Sequence, residues 1–169
     1  MGDPRITFLV CCYQQERYIR ASLLSALGQD YSNLEVLVID DSSSDGTWSI
    51  VQDIKNTYTG PHELNIIRHE MNQGGIETFL EGYKKAKGEW IVLNDGDDIS
   101  FPNRAKTIAQ VSQSQPCSLI ASNALILDYF EVVKAHYRTE KTSVKVTLKQ
   151  LIEAKLSIVR EIAMSAVTS

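Results

Sequence analysis

The sequence predicts an α/β fold, a mostly parallel sheet with helices on both of its faces. Three observations predict it. Short runs rich in apolar and β-branched residues recur along the chain. These runs are continuously apolar, as strands buried on both faces are. Segments with apolar residues at helical spacing separate them, and strands alternating with helices build parallel sheets.

The elements follow in order. Ile6 to Cys11 reads as a buried strand. Ile19, Leu23, Leu24 and Leu27 stand at helical spacing, with Gly28 as the stop. Glu35 to Asp40 is a second buried strand. The turn from Ser42 to Thr47 is rich in helix-capping residues. A helix from about Thr47 should bury Trp48, Val51 and Ile54. Leu64 to Arg68 is a third strand, and Asn72-Gln73-Gly74-Gly75 is a loop that opens the next helix. There Ile76, Phe79, Leu80, Tyr83 and Ala86 form an apolar stripe, and Gly88 ends the element. Glu89 to Asn94 is the fourth strand, followed at once by Asp95-Gly96-Asp97-Asp98. Pro102 precedes another helical segment, and Ser118 to Leu127 is a fifth strand. With no linker or repeat to divide it, the chain 1–169 reads as a single domain, ample in length for a core.

Composition narrows the function classes. The net charge of −4 does not suggest nucleic-acid binding. From Lys134 onward seven basic residues stand against three acidic ones, a net +4 that leaves −8 for residues 1–133. That stretch reads first as a solvated helical region. The alternative is a face that meets an anionic acceptor or the inner membrane surface. No apolar run spans a bilayer, and the N-terminal apolar stretch is too short for a signal peptide, so a cytoplasmic location is expected. Cys11, Cys12 and Cys117 form no disulfide framework or metal motif, and Cys11 and Cys12 would point to opposite faces of their strand. His62, His69 and His136 read as surface or loop residues.

In an open α/β sheet ligands bind outside the carboxyl ends of the strands. Cys12-Tyr13-Gln14-Gln15-Glu16 follows the first strand, Asp40-Asp41-Ser42 the second, and Asp95-Gly96-Asp97-Asp98 the fourth. Carboxylates brought together repel unless a cation or donors compensate. Mg²⁺ and Mn²⁺ take carboxylate and phosphate oxygens together, so the pattern points to a phosphate-bearing ligand held through a divalent metal. The first strand lacks the Gly-x-Gly-x-x-Gly of a dinucleotide fold, and there is no Walker A sequence. Asp41-x-Ser43-x-Asp45-Gly46 imitates an EF-hand start, but Gln52 stands where the bidentate Glu belongs.

These residues together resemble the family 2 glycosyltransferases. The matching stretches are Thr7 to Gln14 with Tyr18-Ile19, Ser22 to Gln29, Leu34 to Thr47, Asn72 to Gly75, and Ala86 to Asp98. The resemblance implies the GT-A fold, a Rossmann-like α/β sheet. It implies a nucleotide-sugar donor, most simply a UDP-sugar, and Mn²⁺ or Mg²⁺. It implies transfer with inversion to an acceptor hydroxyl on a saccharide or lipid-linked molecule. The implied nucleotide-binding set is Cys12, Tyr13, Glu16, Asp41, Gly75, Asp95 and Asp97. Within it Asp41 would accept a base N–H, Tyr13 and Glu16 would lie near the base, and Asp95 near the ribose or metal. Asp97 would hold the metal that bridges the diphosphate. The sequence departs from the family pattern at Cys11-Cys12, at Gln14 in place of Asn, and at Phe79-Leu80 in place of Arg-Asn. The match covers the N-terminal half to two-thirds of such an enzyme. The family's catalytic base lies further on, so none is named here.

Two alternatives share the acidic strand ends. A Mg²⁺-dependent nucleotidyltransferase or phosphatase would need a basic or Gly-rich loop after the first strand. A non-catalytic nucleotide-sugar-binding module would bind donor without hydrolysing it.

Overall fold

The computed structural model describes residues 2–114 and 116–121, with the backbone of 126–127 and 132–133. The chain divides into two compact units, Met1–Gln110 and Val111–Ser169. The elements are β1 (Ile6–Cys12), α1 (Ile19–Leu27), β2 (Leu34–Asp40), α2 (Thr47–Thr57), β3 (Glu63–Arg68), α3 (Gly75–Lys85), β4 (Trp90–Asp95), α4 (Arg104–Ser114), β5 (Ile126–Leu127) and β6 (Val132–Val133).

In the first unit four strands run parallel in the order β3-β2-β1-β4. The central strands are apolar because both faces are covered. Alternation along β1 sends Ile6, Phe8, Val10 and Cys12 to one side, where they pack with Val36 and Val38 of β2. Ile19, Leu23 and Ala26 of α1, Val51 and Ile54 of α2, and Ala105 and Ala109 of α4 close that core. Leu9 of β1 and Leu37 and Ile39 of β2 face the other way, against Phe79 of α3. Helices therefore lie on both faces, as the sequence predicts.

At the amino ends of the strands a polar clamp replaces apolar contact. Thr7 Oγ1 donates to buried Glu35 at 2.8 Å and accepts the Gly88 N–H at 2.9 Å. The Lys87 N–H also donates to Glu35, at 3.0 Å. A Cβ on Gly88 would come within 2.4 Å of the Thr7 nitrogen, so this approach requires glycine.

Three expectations need correction. The apolar stripe of α3 is not its buried face, since Thr78 and Gly82 are the buried residues and Tyr83 is 42% exposed. The helix comes so close to the sheet that a Cβ on Gly82 would meet Leu9 Cδ1 at 2.4 Å, so small residues face inward and Phe79 packs from the flank. Leu24 of α1 is exposed as well, its place taken by Ser22 and Ala26. Residues 118–121 are not strand, and the next strand, β5, pairs antiparallel with β6 instead of extending the parallel sheet. An apolar run alone does not specify a partner strand. His136 and the basic side chains from Lys134 onward lie outside the described residues.

Candidate active site at the carboxyl ends of the strands

The register brings three strand exits together. Cys11 of β1 aligns with Ile39 of β2 and with Asp95 of β4, and Cys12 aligns with Asp40. The β1, β2 and β4 exits named from the sequence thus share one edge of the sheet.

The first two exits are bonded to each other. Gln14 adopts a left-handed backbone, φ 55°. Its side-chain oxygen accepts the N–H groups of Ser44 and Asp45 at 3.1 Å each, and its amide donates to Ser44 Oγ at 2.8 Å. The Gln14, Gln15 and Glu16 N–H groups donate to Ser43 Oγ, Thr47 Oγ1 and Asp45 Oδ2. Glu16 accepts the Gly46 N–H at 2.7 Å, next to the start of α2. This leaves Tyr13 47% exposed on the rim. Cys12 turns inward: its thiol is buried against the Ile39 carbonyl and Asp40. Burial, then the Asp40 charge, pushes that thiol well above its ordinary pKa, so it is no thiolate nucleophile. A contact from Cys12 to a ligand would come from its backbone.

Asp41 is only 3% exposed. Its Oδ1 accepts the Gln73 N–H at 2.8 Å and lies 2.7 Å from His69 Nδ1; Oδ2 accepts the Gly74 N–H at 2.8 Å. Burial by itself would raise this carboxyl, but the Gln73 N–H, His69 and the Gly74 N–H hold it below the usual carboxylate range. Gly74 has φ 88°, the left-handed region, which lets its N–H and that of Gln73 converge on one carboxylate. Gly75, the first residue of α3, is exposed, and a Cβ there would meet open space.

The third exit is organised from beneath by Asn94, which the sequence reading did not single out. Its buried amide donates to Ser22 Oγ at 2.9 Å, to the Asp98 carbonyl at 3.1 Å and to the Asp95 carbonyl at 3.2 Å. Its oxygen accepts Ser100 Oγ at 2.7 Å and Arg104 Nη1 at 3.3 Å. Gly96 fits under this turn where a Cβ would meet Cys12 Cβ at 2.7 Å. Asp95, Asp97 and Asp98 are left exposed above it. Among the described residues no three His, Cys, Asp or Glu side chains form a closed metal cage. Asp95 and Asp97 are both exposed and carry carboxylate oxygens, the ligand type that Mg²⁺ and Mn²⁺ take.

His69 was also missed. It sits in the loop after β3 but is buried, not on the surface, with Nε2 3.0 Å from Glu81 of α3. The only local signal was its place directly after a strand and before Asn72-Gln73-Gly74.

The Glycosyl transferase family 2 model matches residues 7–156. The chain belongs to this family. It is 32% identical over 94 residues to the poly-beta-1,6-N-acetyl-D-glucosamine synthase of Staphylococcus epidermidis, covering 56% of this chain and 22% of that one. Among solved structures it resembles S. aureus TarS 1-349 in complex with UDP-GlcNAc, with a TM-score of 0.58 and 30% identity over 65% of this chain and 31% of that one. It also resembles the Pyrobaculum calidifontis mannosyltransferase PcManGT in complex with GDP-Man and Mn²⁺, with a TM-score of 0.60 and 28% identity over 69% of this chain and 34% of that one. The family 2 chain spans less than half the length of the curated relatives it matches. These likenesses agree with the GT-A fold and do not favour the nucleotidyltransferase or phosphatase alternative. No helix among the described residues is long and apolar enough to cross a membrane.

Proposed function

We propose that this chain is the donor-binding part of a glycosyltransferase, taking a nucleoside diphosphate sugar at the joined β1, β2 and β4 exits. The observation that supports it is the register that aligns Cys12 with Asp40 and Cys11 with Asp95, so that Asp41 and Gly96-Asp97 follow neighbouring strand ends, inside a family 2 match. Asp41 accepts a base N–H through its carboxylate. Tyr13, on the rim, lies against the base, and Glu16 and the Cys12 backbone line the same pocket. Gly75 leaves the α3 entrance open to the donor. Asp95 and Asp97 hold Mn²⁺ or Mg²⁺ together with the diphosphate. When bound, that metal offsets negative charge on the departing nucleoside diphosphate. A saccharide or lipid-linked hydroxyl is the acceptor, with inversion at the anomeric carbon, and no general base is assigned. The reading keeps 1–169 as one nucleotide-sugar-binding part of a longer enzyme, working in the cytoplasm or at the inner membrane surface.

Calorimetric titration of UDP and GDP, with Mn²⁺ and with EDTA, tests this. Mn²⁺-dependent UDP binding that Asp97→Ala abolishes is expected. No heat with either nucleotide would overturn the donor site, and binding indifferent to EDTA would overturn the metal bridge.

A further inference from the structure

The ring of His69 is held between carboxylates from two different elements. Asp41 Oδ1, at the exit of β2, lies 2.7 Å from Nδ1, and Glu81 Oε2, on α3, lies 3.0 Å from Nε2. The His69 N–H donates to the Asp40 carbonyl at 2.9 Å, so the backbone is fixed as well. A neutral imidazole has one N–H and one lone pair. It would serve one carboxylate and turn a lone pair toward the other. Only the imidazolium donates to both.

The charged groups on the surrounding elements are few. Asp40 ends β2 and is paired with Arg68 of β3 at 3.3 Å. Glu70 follows His69 in the loop. On α3, Glu81 also meets Lys85, at 3.6 Å. Burial by itself would lower the His69 pKa, but the bonds and charges of Asp41 and Glu81 outweigh it and raise the pKa above the ordinary histidine value.

The bonds at Asp41 show what this ring controls. Oδ1 meets two donors, Gln73 N–H and His69, whereas Oδ2 accepts only the Gly74 N–H in the bonds described. A carboxylate has about four acceptor sites, so Oδ2 keeps capacity for another donor.

We propose that His69 is a positioning residue: as an imidazolium bridging Asp41 and Glu81, it fixes the Asp41 carboxylate so that Oδ2 receives the N–H of a nucleotide base. This rests on the reading of Asp41 as the base acceptor. Loss of the His69 proton leaves two carboxylates competing for one N–H, removes a positive charge from the side of an anionic ligand, and frees Asp41 to turn. Donor binding therefore weakens as pH rises through the His69 titration. Glu81→Gln removes the demand for the second proton. A neutral His69 then donates Nδ1–H to Asp41 and accepts from the Gln amide, so the geometry survives without the titration.

Two measurements on the full chain test this. Long-range ¹H–¹⁵N NMR at about pH 7.5 should show both His69 ring nitrogens protonated in the wild type and a neutral ring in Glu81→Gln. A neutral wild-type ring at that pH overturns the proposal. The UDP dissociation constant should rise about fivefold or more between about pH 6 and about pH 9 in the wild type, relative to Glu81→Gln. Titrations of UDP itself are common to both proteins and cancel in that ratio. Parallel profiles overturn the role of His69 while leaving the donor site standing. UDP that binds at no pH, beside a doubly protonated ring, overturns the donor-site reading and this proposal with it.

Discussion

Asn94 donates its buried side-chain amide to Ser22 Oγ at 2.9 Å, joining the last turn of β4 to α1. The same amide reaches the carbonyls of Asp95 and Asp98, so the acidic turn takes its shape from a residue that does not face the crevice. Asn94→Leu keeps the branched shape and removes every one of these bonds. Each buried partner left unsatisfied costs about 1–3 kcal/mol. A loss of roughly 3 kcal/mol, read from the denaturant midpoint, is expected, together with weakened UDP binding in Mn²⁺. A stable Asn94→Leu protein with unchanged UDP affinity would show that the turn holds its own shape.

Asp97 is the opposite case. It is exposed above the turn and does not share in the Asn94 bonds. Asp97→Ala should leave stability within about 0.5 kcal/mol of the wild type. Mn²⁺-dependent UDP binding should fall at least about tenfold, the worth of roughly 1.4 kcal/mol. Thermal unfolding beside calorimetry separates the two effects.

Gly88→Ala should destabilise without touching the crevice. The added Cβ would meet the Thr7 nitrogen at 2.4 Å and the Ile6 carbonyl carbon at 2.8 Å, the two atoms of one β1 peptide bond, and backbone there has little room to yield. Overpacking of this kind costs about 1–3 kcal/mol. Urea unfolding measures it, and a midpoint equal to the wild type would refute the close approach.

Stability should fall on both sides of a pH plateau. Asp41 has a lowered pKa in the folded state, so its contribution is present above the unfolded carboxylate value of about 3.9 and fades as pH falls through the folded value. His69 has a raised pKa, so its contribution is complete below about 6.5 and fades as pH rises through the folded value. The alkaline slope from one group is at most about 1.4 kcal/mol per pH unit. In His69→Gln that slope should flatten while the acid limb from the other carboxylates remains. An unchanged alkaline limb would mean that another group carries it.

The parallel core was legible because β1 and β2 are apolar on both faces, a pattern with few other outcomes. The acidic turn was legible because Asp95 directly follows an apolar run, although β4 takes in Asp95 itself. The inward face of α3 was not, because Thr78 and Gly82 are chosen by closeness to Leu9, a distance that hydrophobic periodicity does not encode. His69 was not, because its partners Asp41 and Glu81 stand 28 and 12 residues away and meet it only through the crossover of β2, β3 and α3. Asn94 looked like the polar end of a strand, although its bonds run to Ser22 and Arg104 in two helical segments.

The interlocking of Gln14 with Ser44 and Asp45 has a thermodynamic consequence for recognition. Loops that freeze on ligand arrival lose affinity to ordering entropy, about 0.5–1.5 kcal/mol for each side chain immobilised. Here the side chain of Gln14 and the N–H groups of Gln15 and Glu16 are bonded to partners between Ser44 and Thr47 of the same chain. The crevice wall is preorganised, so a guest meeting it has little chain motion left to arrest.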